Sequence, residues 1–330
     1  MKARKELYVR LVMLGTGHAL VTRCYNACFL LEDDATSGTE RGAGVERGAG
    51  AFDSAAGGAG AERGAGGAAD AGAGGAGAGG ACGAGSPCFL VDAGGGNGVM
   101  TQLERAGVDW RRVSDLFITH THIDHVLGAV WMLRLVCHHL NEGDYESGFT
   151  IWGNDQVIAA LEELAHLLLR PQETRFLGNG VRLRAVSDGE AHVILGRKTT
   201  FFDIRSAGAK QFGFAMEMER LADHRPRTFV CCGDEPMNEA NRAYVEGAEW
   251  LVHEAFCLDS EVARYNPHSI NHGTVVEACA TAQRLGVRNL VLYHTEDDDL
   301  LHRKERYTAE GRRCFSGNLY VPDDLEAFEL

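Results

Sequence analysis

Four side chains able to bind a metal fall within six residues, at His120-Thr121-His122-Ile123-Asp124-His125. An apolar, strand-like segment, Leu116-Phe117-Ile118-Thr119, runs into them, and an amphipathic helix-like stretch, 126–140, follows. On an extended backbone His120 and His122 point to the same side. Asp124 and His125 come where the helix begins, so donors can converge from one strand-to-helix turn. Neutral imidazoles suit Zn²⁺, and a neighbouring carboxylate suits a second or a shared divalent ion. A His-rich surface turn is the plainer reading, but it leaves the preceding buried-type strand unexplained.

Other apolar strands end in further donors. Phe229-Val230-Cys231-Cys232-Gly233-Asp234 ends in a carboxylate that can bridge two cations, and Leu290-Val291-Leu292-Tyr293-His294 ends in an imidazole. Phe89-Leu90-Val91-Asp92, followed by Ala93 and three glycines, ends in an acid better suited to orient a ligand loop than to ligate. Each alone reads as a capped strand end; together with the histidine run they point to one composite metal site.

The elements that must position these groups alternate along the chain. Strands are expected near 8–14, 27–31, 88–91, 116–119, 149–152, 181–186, 191–195, 200–204, 212–218, 228–232, 250–253 and 290–293. Helices are expected at 98–106, 124–140, 155–169, 239–245, 274–285 and 301–310, where apolar residues recur at helical spacing. Segment 37–86 is almost wholly Gly and Ala, with Glu-Arg-Gly-Ala-Gly recurring from Glu40, Glu46 and Glu62. It lacks the apolar side chains needed to offset ordering entropy and is expected to be a disordered insertion. Without it, 26–31 and 87–92 form a hairpin, so 1–330 is read as a single domain. Early hairpins with helices entering later suit stacked sheets with helices outside.

At 330 residues the chain can bury a full core, and its formal charge of −14 argues against a broad electrostatic footprint for nucleic acid or an anionic membrane. Lys2, Arg4 and Lys5 precede a short apolar run broken at Gly15-Thr16-Gly17, which reads as strand and turn rather than a signal peptide. No apolar run reaches the ~18 residues that span a bilayer. The ten cysteines form no CxxC pair, as expected of reduced thiols in a cytoplasmic protein.

At this point the chain resembles the metallo-β-lactamase superfamily and, within it, the ribonuclease Z-like branch. The residues carrying the resemblance are Gly15-Thr16-Gly17, Asp92 with its glycines, the run from His120 to His125, Gly233-Asp234, His253-Glu254-Ala255, His272-Gly273-Thr274 and His294. The likeness implies an α/β fold, a four-layer αββα sandwich, with two zinc ions at the sheet edges. One ion would take His120 and His122, the other Asp124, His125 and His294, with Asp234 bridging. In three respects the chain departs from the branch. The histidine that the family places before a Phe/Tyr-Gly-Phe/Tyr strand is absent between Asp203 and Phe214, leaving one zinc position short of a ligand, so that one or two ions are expected. Only a short link joins Glu219 to Val230, where transfer-RNA-processing members carry a Gly-rich arm. After His294 comes Thr295-Glu296-Asp297-Asp298-Asp299, expected to repel an RNA backbone. His18, His192 and His224 are the candidates to replace the absent ligand.

The chemistry expected is metal-assisted hydrolysis by an activated water. Asp124 would accept its proton, and His272, oriented by Glu254, would protonate the departing oxygen. The substrate expected is a phosphodiester or similar small anionic ester. The alternatives are a transfer-RNA 3′-end endoribonuclease and a non-catalytic metal-binding relic. RNA is the less favoured partner, no membrane is expected, and a homodimer stays open.

Overall fold

The computed structural model describes residues 8–34, 85–219 and 227–330. Segment 37–86, apart from Gly85 and Ser86, lies outside them, as do Lys2, Arg4, Lys5 and His224.

Two seven-stranded sheets face each other. One has the spatial order β14 (Ala327–Glu329), β1 (Tyr8–Gly15), β2 (Cys28–Asp34), β3 (Cys88–Val91), β4 (Val113–Ile118), β5 (Phe149–Gly153) and β6 (Val181–Ala185). The other runs β13 (Asn318–Tyr320), β12 (Asn289–Tyr293), β11 (Trp250–Glu254), β10 (Arg227–Cys231), β9 (Phe212–Met218), β8 (Arg197–Asp203) and β7 (Ala191–Ile194). Helices α1 (Gly98–Arg105), α2 (Ile123–Glu142), α3 (Asp155–Leu168) and α4 (Pro171–Thr174) follow strands of the first sheet. Helices α5 (Arg242–Val245), α6 (Val262–Tyr265), α7 (Val275–Arg284) and α8 (Leu300–Gly311) follow strands of the second.

Alternation along the strands builds the layers. On β2, Phe29 and Leu31 enter the core between the sheets, where Phe214, Phe229 and Tyr293 meet them, while Cys28 and Leu30 enter the core shared with α1 and α2. A third core lies outside the second sheet, where Val230, Leu251 and Leu290 meet Val275, Ala278 and Tyr307. The central strands are thus covered on both faces, which explains why β3, β11 and β12 are buried throughout, whereas the edge strands β6 and β7 are largely exposed. The αββα sandwich is the architecture expected, and 29–32 pairs antiparallel with 88–91.

Pairing directions decide where the donors gather. Strands β3, β4 and β5 are mutually parallel, as are β10, β11, β12 and β13. Their C-terminal ends bring Asp92, His120, Asp234, Glu254 and His294 to one rim of the sandwich.

Candidate metal centre

Each donor is set by the turn that ends its strand. Asp92 and His294 have φ of +54° and +56°, a left-handed conformation that costs a non-glycine residue energy and turns each side chain off its strand. Before Asp234, Gly233 has φ +75°, and a Cβ there would run into the Gln211 side chain. That same Gln211 oxygen accepts the Asp234 backbone N–H at 2.7 Å. His122 is the N-cap of α2, so Asp124 and His125 lie in the helix's first turn.

Two imidazole nitrogens and two carboxylate oxygens come close together. His125 Nε2 lies 3.2 Å from Asp124 Oδ2 and 3.4 Å from Asp234 Oδ2. His294 Nε2 lies 3.5 Å from each of those oxygens. Zinc bonds of about 2.0–2.1 Å in tetrahedral geometry leave ligand atoms about 3.3–3.4 Å apart. His120 Nε2, Asp124 Oδ2, His125 Nε2, Asp234 Oδ1 and His294 Nε2 are buried without a hydrogen-bond partner among the described residues. Buried polar atoms are rarely left so, and the triads His120–His125–Asp234, Asp124–His125–His294 and Asp234–His272–His294 could each hold a metal ion. Residues Asp124, His125, His294 and Asp234 therefore fit one divalent ion.

The charges agree. Burial raises the Asp124 and Asp234 carboxyls, but the surrounding imidazoles outweigh it and hold both well below the carboxylate range. Burial lowers His125, yet Asp92 and Asp124 outweigh that and push it well above the usual imidazole value. Burial takes His120 down to about 3.

The second position is less complete. His120 Nε2 is 3.5 Å from the shared Asp234 oxygen, and its Nδ1 is 2.9 Å from Thr119 Oγ1. His122 packs against His120, ring centroids 4.3 Å apart, but is exposed and stands outside the three metal-ligating clusters. Where the resemblance calls for a further imidazole, Ser206 donates to Glu235 at 2.6 Å. Neither described substitute fills that gap. His18 sits on the His294 side, and His192 pairs with Glu190 at 2.7 Å on β7.

His272 lies beside the centre, its ring 4.9 Å from His294 and stacked on Phe256 at 5.1 Å. Burial and then His294 lower it to about 4. Its Nδ1 is 3.7 Å from Glu254 Oε2, too far for a hydrogen bond. Glu254 instead accepts the Gly273 and Phe256 backbone N–H groups at 2.8 and 3.1 Å and so shapes the loop carrying His272; burial pushes its carboxyl well up. His253, in the same motif, is a strut: its Nε2 accepts the Met237 N–H at 3.0 Å.

The acidic run after His294 does not present the free charge expected of it. Asp297 accepts the backbone N–H groups of Thr22 and Arg23, each at 2.7 Å. Asp298 takes Arg264 and Tyr265, and Asp299 takes His302 and Arg306. Glu296 is buried. These acids clamp the loop after β1 to the loop after β12, which their sequence alone, a run of like charges, could not reveal. Lys210 and Arg205 form ion pairs with Asp155 and Asp188 respectively.

A rim of imidazoles and carboxylates at the strand ends of an αββα sandwich defines the metallohydrolases of the metallo-β-lactamase fold. The family model described as the beta-lactamase superfamily domain matches residues 88–295, and the chain belongs to that family, in its ribonuclease Z-like branch. It is 26% identical over 295 residues to a ribonuclease Z of Bradyrhizobium diazoefficiens, covering 72% of this chain and 91% of that protein. A ribonuclease Z of Thermococcus onnurineus is 24% identical over 272 residues, covering 70% and 82%. Among solved structures, the metallo-beta-lactamase fold protein YhfI from Bacillus subtilis superposes with TM-score 0.64 at 15% identity, covering 98% of this chain and 100% of that one. The short form of human tRNase Z superposes at 0.59 with 16% identity, covering 97% and 98%. Among the described residues no helix is long and apolar enough to cross a membrane.

Proposed function

We propose that the chain is a zinc-dependent phosphodiesterase that cleaves RNA, acting at transfer-RNA 3′ ends. The observation that carries the metal-dependent reading is the convergence of Asp124, His125, Asp234 and His294, in which the His125 and His294 Nε2 atoms each lie within 3.5 Å of an oxygen of both carboxylates. Relatives named ribonuclease Z, aligned over most of both chains, favour RNA as the substrate. Ion pairs at Asp298 and Asp299 offset part of the charge that opposes a polyanion. Unpaired thiols at all nine described cysteines support a cytoplasmic setting.

Two imidazoles and two carboxylates suit zinc, and Asp124, His125, Asp234 and His294 would hold one ion more firmly than His120 and His122 would hold a second. A divalent ion in that set supplies an acidified water and electrophilic pull on a phosphoryl oxygen. Asp124, held ionised, accepts the proton shed by the attacking oxygen. His272 reaches the reaction as a neutral imidazole. As its ring N–H passes to the departing oxygen, the Glu254 carboxyl, kept protonated by burial, reprotonates Nδ1. That relay requires the 3.7 Å gap between them to close.

A second reading, a small anionic phosphodiester, is favoured by the net charge of −14 and the short link between Glu219 and Val230. Incubating the zinc-loaded protein with a precursor transfer RNA and with bis(4-nitrophenyl) phosphate separates the two. Cleavage at the 3′ end, with binding that weakens steeply as salt rises, is expected. Turnover of the small ester alone would replace RNA with the second reading, and turnover of neither would sink both.

A further inference from the structure

The loop after β1 carries an imidazole that the mechanism above leaves idle. His18 follows Gly17, which bridges both Asn26 and Thr295. Its backbone N–H donates to the Thr295 carbonyl at 3.0 Å, and its carbonyl accepts from the Asn26 amide at 2.9 Å. Further along, Thr22 and Arg23 are tied to Asp297, and the Arg23 guanidinium donates to the Asp298 carbonyl at 2.6 Å. The loop is thus fixed at both ends to the segment following His294.

The ring is fixed too. It packs on Phe256 at 4.6 Å and meets the His294 ring edge-on at 6.3 Å. Phe256 also stacks on His272, so His18 and His272 flank the same phenyl ring and both border His294. The Leu20 backbone N–H donates to His18 Nδ1 at 3.3 Å. A ring nitrogen that accepts carries no proton, so the proton is on Nε2. No described residue takes that N–H, and the ring is only half-buried. A rigidly held donor without an acceptor, beside a metal ligand and open to solvent, is the arrangement that receives an anionic oxygen.

We propose that His18 is a substrate-positioning residue whose Nε2–H donates to a non-bridging phosphoryl oxygen of the ester bound beside His294. The proposal rests on the phosphodiesterase reading above for its substrate, and its role is orientation, with no bond made or broken at His18. The plainer account, a ring that only fills space on Phe256, makes a different forecast for two substitutions. His18→Phe keeps a ring on Phe256 and removes the donor. His18→Gln returns an N–H at similar reach.

Both variants are compared with wild type as zinc-loaded proteins by calorimetric binding of inorganic phosphate, by kcat and KM on bis(4-nitrophenyl) phosphate, and by zinc content. Loss of a hydrogen bond to a charged oxygen weakens phosphate by about tenfold or more, so His18→Phe is expected to do that. It should also raise KM more than it lowers kcat and leave zinc content unchanged, while His18→Gln recovers much of the affinity. Wild-type affinity in His18→Phe, loss of zinc in that variant, or a zinc-loaded wild type that binds no phosphate would each overturn the proposal. Phosphate binding that depends on His18 in a protein that turns over no phosphodiester would leave it standing and remove the activity reading instead.

Discussion

Asp92 Oδ2 lies 2.8 Å from His125 Nδ1, while Asp92 Oδ1 accepts the Thr119 backbone N–H at 2.9 Å. One carboxylate therefore sets the ring of a candidate metal ligand and the strand end that precedes His120. With Nδ1 bonded to Asp92, His125 keeps Nε2 for an ion, and the nearby negative charge raises its basicity.

Replacing Asp92 by Asn tests this link. Asn tolerates the left-handed backbone at this position, so the turn survives while the charge is removed. Zinc affinity, measured by competition with a chromophoric chelator, is expected to fall about 10–100-fold, the usual cost of losing an outer partner of a ligand. Unchanged affinity would mean that His125 is held by packing alone.

The unequal donor sets at the two positions give a second prediction. His294→Ala removes an imidazole that lies 3.5 Å from both the Asp124 and the Asp234 carboxylates, and the purified protein is expected to retain much less than one zinc per chain. His122→Ala touches a ring outside the three clusters and is expected to keep about one zinc while losing a second, weaker ion. Metal analysis after gel filtration, at rising zinc concentrations, reads both. Equal loss in the two variants would mean that the exposed ring swings in to share the first ion.

How far the sequence could reveal this centre depended on the distance over which its signals act. The run from His120 to His125 and the strands ending in Asp234 and His294 are local patterns; of their residues His120, Asp124, His125, Asp234 and His294 come together, while His122 stands apart. Strands β13 and β14, three residues each, were invisible because nothing within Asn318–Tyr320 or Ala327–Glu329 is long enough to show a period; only pairing with β12 and β1 makes them strands. The partners of Asp297 and Asp298 went unseen for a related reason: Thr22, Arg23 and Arg264 are far away in the chain. His18 showed no partner spacing at all, since its neighbours Phe256 and His294 are brought to it by tertiary contact alone.

A third prediction concerns Gly128 on α2. A Cβ there would run into the Ala93 carbonyl oxygen, because the helix lies against the turn after β3, with the Gly128 N–H donating to the Gly94 carbonyl at 2.9 Å. Gly128→Ala forces the helix away from that turn. The cost of such overpacking is about 1–3 kcal/mol, read as a lowered melting temperature. As α2 also carries Asp124 and His125, zinc affinity should fall with stability. A stable variant with normal zinc binding would show that the helix start and the turn are not coupled.

The last prediction is a pH dependence away from the centre. Glu173 is buried and accepts from Arg134 at 2.6 Å, from the Arg170 guanidinium at 2.6 Å and from the Arg170 backbone at 3.0 Å, joining α4 to α2. Burial raises its carboxyl, but these donors outweigh it and bring it down to about 2. A carboxyl depressed by folding contributes stability above its unfolded value of about 4.3, and that contribution is lost as pH falls through the folded value. Both arginines are partly exposed, so solvent screening limits the effect to about 1–2 kcal/mol. Glu173→Gln should therefore be less stable than wild type to urea at pH 7, with the gap narrowing from about pH 4 downward. A gap that stays constant between pH 7 and pH 3 would assign the loss to packing of the side chain rather than to its charge.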